Sequence, residues 1–292
     1  MLKPQHLIYI LLVLSVAYIG LKYTAKPISE GFTQDAQFMV KRGVHIYDPF
    51  YVNMYDQLGL PNKRVPFEID VINSTLPSDL STFLDIGCGT GYLVNQIHTH
   101  GHQVIGIDQS PDMIKYAETR YPEIEIMLGD ARDPMSFDRA TFSHILCTNF
   151  TIYQFSDKVA FFRNCYYWLI PNNYLILHLV DKHKFDTIVP DGNPEYLSPQ
   201  KFADQRITKT TIDYNGFLYN AAYDFGEDNL VTFTEKFTDK QSAKVRQNEM
   251  DLYMEDVNQI LKVAKFCGFI VHGKFDYKED PHQYLYVLER QN

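Results

Sequence analysis

Several features are missing from the sequence, and each absence removes a class of function. The four cysteines (Cys88, Cys147, Cys165 and Cys267) form no C-x-x-C pair. Neither a zinc site nor a dithiol redox motif is therefore spelled out, and buried reduced thiols are expected. There is no dense Lys/Arg run, only the isolated pair Lys41-Arg42, and acids outnumber bases by 36 to 27 for a formal charge of −9. Nucleic-acid binders present a basic face, so no nucleic-acid partner is expected. Tryptophan occurs once, against 21 tyrosines and 20 phenylalanines. No internal repeat or low-complexity linker divides the 292 residues, a length that suits one packed domain with an insertion, or two small domains.

Charge is absent from Leu7 to Leu21, with Lys3 and His6 before it and Lys22 and Lys26 after it. The run is apolar on every face, unlike the one-sided helix of a globular surface. It is short for the hydrocarbon layer of about 30 Å, but flanking lysines and Tyr23 extend its reach. A secretory signal peptide and a buried core helix are the rivals. No small-x-small cleavage site follows closely, so residues 1–26 are expected to be an uncleaved single-pass membrane anchor, with the remainder facing the cytosol.

What is present centres on Phe83 to Ile97. The stretch opens apolar (Phe83, Leu84, Ile86), places three glycines in five positions (Gly87, Gly89, Gly91), and resumes with helical spacing at Leu93, Val94 and Ile97. That pattern predicts a buried strand, a tight turn and a helix start, where bare backbone can approach a ligand. Asp85 lies two residues before the first glycine. The spacing is G-x-G-x-G, not the G-x-G-x-x-G of dinucleotide sites, and no Lys-Ser/Thr pair follows, which excludes a P-loop. Asp-Ile-Gly-Cys-Gly-Thr-Gly (Asp85 to Gly91) resembles motif I of the class I S-adenosylmethionine-dependent methyltransferases, and the resemblance extends with falling strength over about residues 80 to 288.

The resemblance implies an α/β fold, a doubly wound Rossmann-like sheet of seven strands with one antiparallel strand near the edge, and S-adenosylmethionine as cofactor. It implies a cofactor site formed by Asp85, Gly87, Cys88, Gly89 and Gly91. Val104 to Asp108 reads as a second strand ending in an acid about twenty residues beyond the loop, the offset of a ribose-binding carboxylate. The alternative for Asp108 is a cap on the helix that starts at Pro111. Ile124 to Asp130 repeats the strand-then-acid pattern, and the resemblance assigns Asp130 and the N–H of Ala131 to the adenine edge. Asn149 and Tyr153, at the exit of the strand Phe142 to Thr148, are the expected contacts to the acceptor. His178 is a candidate base inside an apolar strand, where a packed histidine is the commoner role. Asp181 and His183, at that strand's exit, are equal candidates. The Asn/Asp-Pro-Pro-Tyr/Phe of amino-methyltransferases acting on bases or glutamine amides is absent at Asn149.

Residues 27–79 read as a helical region in which Tyr51 and Tyr55 share one face of a helix, either packed on the domain or, as the resemblance implies, a lid over the methionine end of the cofactor. The methyltransferase domain is expected over 80–292. Between about residues 182 and 255 the βαβ order stops, and alternating runs around Asn215-Gly216 predict an inserted antiparallel sheet, either a substrate cover or a dimer interface. The expected activity is methyl transfer to an unidentified, small or amphipathic acceptor. The rivals are a non-catalytic membrane-tethered scaffold and an NAD-dependent oxidoreductase. No metal site is predicted, and the sequence is silent on oligomeric state.

Overall fold

The computed structural model describes residues 34–56, 58, 64–78, 80–189, 198–278 and 281–292. In chain order it contains β1 (Phe38–Arg42), α1 (Pro49–Tyr55), α2 (Val65–Ser74), β2 (Thr82–Ile86), α3 (Tyr92–Thr99), β3 (Gln103–Asp108), α4 (Pro111–Arg120), β4 (Glu125–Leu128), β5 (Phe142–Cys147), α5 (Lys158–Trp168) and β6 (Leu169–Val180). There follow β7 (Lys209–Asp213), β8 (Phe217–Phe225), β9 (Leu230–Asp239), β10 (Val245–Tyr253), α6 (Val257–Phe266), β11 (Phe269–Asp276) and β12 (Gln283–Arg290).

Seven strands form one sheet in the order β11-β12-β6-β5-β2-β3-β4. β4, β3, β2, β5 and β6 run parallel, while β12 is antiparallel to β6. Both faces of this sheet are covered. Leu84, Ile145 and Leu175 pack into one apolar cluster, and Phe83, Leu146 and Ile176 into the other. Strands buried on both sides read as continuous apolar runs, which is why they were legible in the sequence. Residues of α2 and α3 belong to the second cluster, those of α5 and α6 to the first. α5 runs into β6 without a break, and Pro171-Asn172-Asn173 lie inside the strand. The strand already begins at Leu169, and the three residues shift its register against β5 between Phe142 and His144.

The predicted insertion forms a second sheet, β1-β10-β9-β8-β7. Its last four strands alternate buried and open positions, and Tyr219, Ala221, Phe233 and Phe237 join the core cluster of the main sheet. β1 was not foreseen. It pairs in parallel with β10, Phe38 opposite Val245, so its partner lies some two hundred residues away and no local pattern announces it.

The expectation of a single-pass anchor, with the rest of the chain facing the cytosol, is corrected. No helix among the described residues is long and apolar enough to cross a membrane, and no apolar N-terminal helix is found there. The run on which that expectation rested, residues 7–21, lies outside the described residues.

Candidate active site

The loops at the carboxyl ends of β2, β3, β4 and β5 surround a cavity of about 420 Å³. Such a crevice is where open α/β sheets bind ligands. The chain leaving β2 turns sharply because the N–H groups of Gly87 and Cys88 both donate to Ile107 O, at 2.8 and 3.1 Å. Gly87, Gly89 and Gly91 all have positive φ (72°, 52° and 76°), a region costly to other residues. Their surroundings differ. A Cβ on Gly89 would meet nothing nearer than the Tyr55 ring at 4.0 Å, so its bare backbone faces the cavity. A Cβ on Gly91 would lie 2.9 Å from Ala117 and Ile124, which makes that glycine a packing requirement between α3 and the unit that follows.

Asp108, at the end of β3, faces the same space. One carboxylate oxygen accepts from Gly89 N–H at 3.0 Å and the other from Ser110 N–H at 2.8 Å. Burial lifts its pKa, and the N–H groups of Ser110, Gly89 and Gln109 pull it back. The cap of α4 is supplied by Ser110, whose Oγ accepts from Met113 N–H at 3.1 Å. The capping alternative for Asp108 is therefore displaced.

Gly129, Ala131 and Arg132 line the cavity beside β4. Asn164 holds this loop by donating to Ala131 O at 3.0 Å and Arg132 O at 3.1 Å. Asp130 itself is turned to the rim, where its carboxylate pairs with Arg132 at 2.8 Å and is held below the usual range. Asp85 and Cys88 are buried under the loop and do not line the cavity. Burial, then the charges of Glu68 and Asp108, push Asp85 up to about 8; burial likewise raises the Cys88 thiol.

Asn149 lines the cavity, as do Phe150 and Thr151. Asn149 and Phe150 both hold positive φ, 48° and 66°. Two successive non-glycine residues in that region store about 1–3 kcal/mol of strain each, which persists where surrounding bonds over-determine it. One such bond comes from His178, whose Nδ1 accepts from Phe150 N–H at 3.3 Å while Nε2 donates to Gln283 Oε1 at 3.0 Å. Burial, reinforced by the Arg64 charge, keeps the imidazole neutral. The candidacy of His178 as a base is corrected in favour of the packed role given as the commoner one: it lies beneath the cavity wall and braces the turn. Tyr153 is corrected too. Its ring is fully buried, and its hydroxyl accepts from Val180 N–H at 2.8 Å. Asp181 and His183 lie off the cavity, paired with Lys184 and Asp256.

Tyr47, Tyr51 and Tyr55 form a row along the opposite side, with ring centroids 5.7 and 6.0 Å apart. This row is fastened at both ends. Arg246 donates to both oxygens of Asp48 at 2.7 Å and to Ile46 O at 2.7 Å. Asp56 accepts from the hydroxyl of Thr90, inside the glycine loop, at 2.9 Å and pairs with Arg120 at 2.6 Å. The far wall comes from Ile188, Val189, Tyr223, Phe233, Met250 and Leu252. The sequence reading missed Tyr47, Arg64, Gln283 and these insertion side chains. For Tyr47 a signal existed in its i, i+4 spacing to Tyr51 and Tyr55; for the others none did, since the start of α2 brings in Arg64, β12 brings in Gln283, the loop after β6 brings in Ile188 and Val189, and the second sheet brings in the rest. Among the described residues no group of three or more His, Cys, Asp or Glu could hold a metal ion.

Comparison with known proteins agrees with this geometry. Residues 83–172 match the family model described as a methyltransferase domain. The chain is similar to the putative methyltransferase YqeM of Bacillus subtilis, 26% identical over 61% of this chain and 76% of that one. It is also similar to the cypemycin N-terminal methyltransferase of a Streptomyces species, 26% identical over 84% and 98%. In fold it resembles a solved S-adenosylmethionine-dependent methyltransferase from Clostridium acetobutylicum, with TM-score 0.65 and 17% identity over 83% of this chain and 98% of the other. The matched domain and these similarities support a class I S-adenosylmethionine-dependent methyltransferase with S-adenosylmethionine as its cofactor.

Proposed function

We propose that this methyltransferase acts on a small or amphipathic acceptor that enters between the tyrosine row and the inserted sheet. The observation that carries this reading is the continuity of a single cavity. It runs from Asp108 and Gly89 to an apolar wall of Tyr223, Phe233, Met250 and Leu252. A carboxylate accepts two hydrogen bonds side by side, so Asp108 is assigned the cofactor ribose. The backbone at Gly129 and Ala131 is assigned the adenine, with Asp130 acting through its bonds at the rim. Gly87 and Asn149 then flank the sulfur end. When bound, S-adenosylmethionine supplies a methyl group on a sulfonium, an electrophile with a good leaving group already in place.

The residues of this chain then orient and enclose. Holding reactants in line is worth up to roughly 7–11 kcal/mol, and tyrosine faces attract a cationic centre, which suits Tyr47, Tyr51 and Tyr55 as a roof. The inserted sheet is assigned the role of acceptor cover. Similarity to an N-terminal methyltransferase over nearly its whole length makes amines the first acceptor class to assay. The test is methyl transfer over fractionated small-molecule and peptide acceptors, scored by release of S-adenosylhomocysteine. Turnover with low-molecular-weight fractions is expected. Turnover confined to nucleic acid or to large folded proteins would overturn the proposal.

A further inference from the structure

Gln283, the first residue of β12, lines the cavity yet is only 2% exposed. Its orientation is set by a chain of bonds that begins at the strained turn. A backbone N–H can only donate, so His178 Nδ1, which receives Phe150 N–H at 3.3 Å, carries no proton. Burial keeps the imidazole neutral, which leaves its one proton on Nε2. That nitrogen donates, so the Gln283 oxygen is the end that faces it, at 3.0 Å.

The Gln283 amide nitrogen is thereby turned away from His178 with both of its N–H groups. Among the described residues no protein group accepts from it, and, unlike Glu68 Oε2, it is not sealed from every opening. A buried donor without an acceptor is costly, and here the acceptor has to come from the cavity.

The sheet places this donor on the side away from the cofactor. Gln283 lies opposite Val180, beyond the point where β5 leaves the sheet. β12 is two strands from β5 and four from β3. At about 4.8 Å between neighbouring strands, that is on the order of 10 Å past the sulfur end and about 19 Å from the ribose acid. A cofactor held at Gly89 and Asp108 brings its sulfur to Asn149, so the molecule that meets Gln283 is the methyl acceptor.

We propose that Gln283 selects the acceptor, its amide donating to a carbonyl oxygen that the acceptor carries away from its methylated atom. This deepens the function proposed above and rests on it, since the acceptor has to share the cavity with the cofactor. A carbonyl oxygen only accepts, which matches a pair of N–H donors; an ammonium or another N–H does not. A site built around such a donor discriminates because the donor is left unpaired when the oxygen is missing.

Two neutral aromatic amines serve as probes. 4-Aminoacetophenone carries the carbonyl, and 4-ethylaniline has a methylene in its place. Calorimetry on the full chain saturated with S-adenosylhomocysteine should show the ketone binding at least about fivefold tighter. Gln283→Met removes both the donor and the bond to His178; Gln283→Glu keeps an oxygen for His178 and removes the donor alone. Both variants should bring the two probes within about twofold of each other, with S-adenosylhomocysteine itself changed by less than about twofold. Loss of the preference in Gln283→Met alone would make Gln283 a brace for the turn and overturn the proposal. Equal affinity for the two probes in the unaltered protein, or a preference that survives in both variants, overturns it as well. So does weakened S-adenosylhomocysteine, which would give the amide to the cofactor. If the unaltered protein binds S-adenosylhomocysteine but neither amine, the acceptor placement itself falls, and this assignment with it.

Discussion

With the cap of α4 supplied by Ser110, Asp108 is left with a different pair of duties. Its carboxylate faces the cavity and also ties the glycine loop to the start of α4 through Gly89 N–H and Ser110 N–H. Asp108→Ala should therefore weaken S-adenosylhomocysteine at least about tenfold. It should also lower apo stability by about 1–3 kcal/mol, because the Gly89 donor is left without its acceptor. Asp108→Asn, which keeps one acceptor oxygen, should be milder on both counts. Calorimetry paired with melting of the apo protein reads the two effects separately. A lower melting temperature with unchanged affinity would remove the ribose role. The glycines divide in the same way. Gly91→Ala should cost about 1–3 kcal/mol by overpacking, since its Cβ would collide with Ala117 and Ile124, while affinity in the folded fraction is retained. Gly89→Ala should show the reverse balance, with a penalty of about 1–2 kcal/mol from its positive φ but a larger loss of affinity, read by the same pair of measurements.

Among the elements, the segment from β1 through α1 is a fitted roof fastened to both sheets. Asp48 caps α1 by accepting from Tyr51 N–H at 3.2 Å and receives both bonds from Arg246 of β10. Below the sheet surface Glu235 accepts from the Tyr219 hydroxyl at 2.7 Å and bonds Tyr51 as well. Arg246 has a side chain only 4% exposed, while Asp48 is 25% exposed and also meets Lys41 at 3.5 Å, so the loss on removing Arg246 is that of charge-assisted hydrogen bonds, about 1.5–3 kcal/mol. Arg246→Leu should lose stability on that scale in urea unfolding. The surviving folded protein should bind S-adenosylhomocysteine more weakly, because the Tyr47–Tyr51–Tyr55 row loses its seat. Unchanged affinity after correction for folded fraction would show that the roof does not depend on this clamp.

For the molecule as a whole, the two acids beneath the cavity set an expected pH slope. Asp85 is raised to about 8 and Glu68 to about 7, in both cases chiefly by burial. A carboxyl whose folded pKa exceeds its unfolded value binds more protons when folded, so folding stability falls as pH rises between the two values. The contribution of Asp85 and Glu68 is fully present below about pH 4 and is lost as pH rises through about 7 to 8. Asp130, Asp239 and Glu249 are shifted the other way, and their stabilisation is lost in acid. Asp85→Asn should flatten the decline and stabilise the apo protein near pH 8 by an amount on the order of a few kcal/mol, read as a higher melting temperature. Melts from about pH 5 to about pH 8.5 check this; a slope identical to that of the unaltered chain would show that Asp85 does not titrate there.

The parallel strands and the glycine turn were legible because their causes are local. Phe83 to Ile86 and Phe142 to Cys147 are apolar on both faces wherever the sheet lies, and Gly87, Gly89 and Gly91 mark a backbone path that side chains resist. The inserted hairpins were readable for the same reason, through alternation around Asn215-Gly216. The choice between Asp108 and Ser110 as helix cap was not local, since it depends on which oxygen the folded loop aims at Met113 N–H. Tyr153 follows a strand exit that reads as facing the cleft, but it comes after the turn at Asn149-Phe150 and is buried, and no pattern announces two successive positive φ angles; His178 is buried as a member of β6. β1, Arg64, Gln283 and the apolar far wall are decided by pairings across long sequence separations. Local periodicity determined the elements and the glycine loop; tertiary packing decided which charges are buried, which side chains face the cavity, and what covers it.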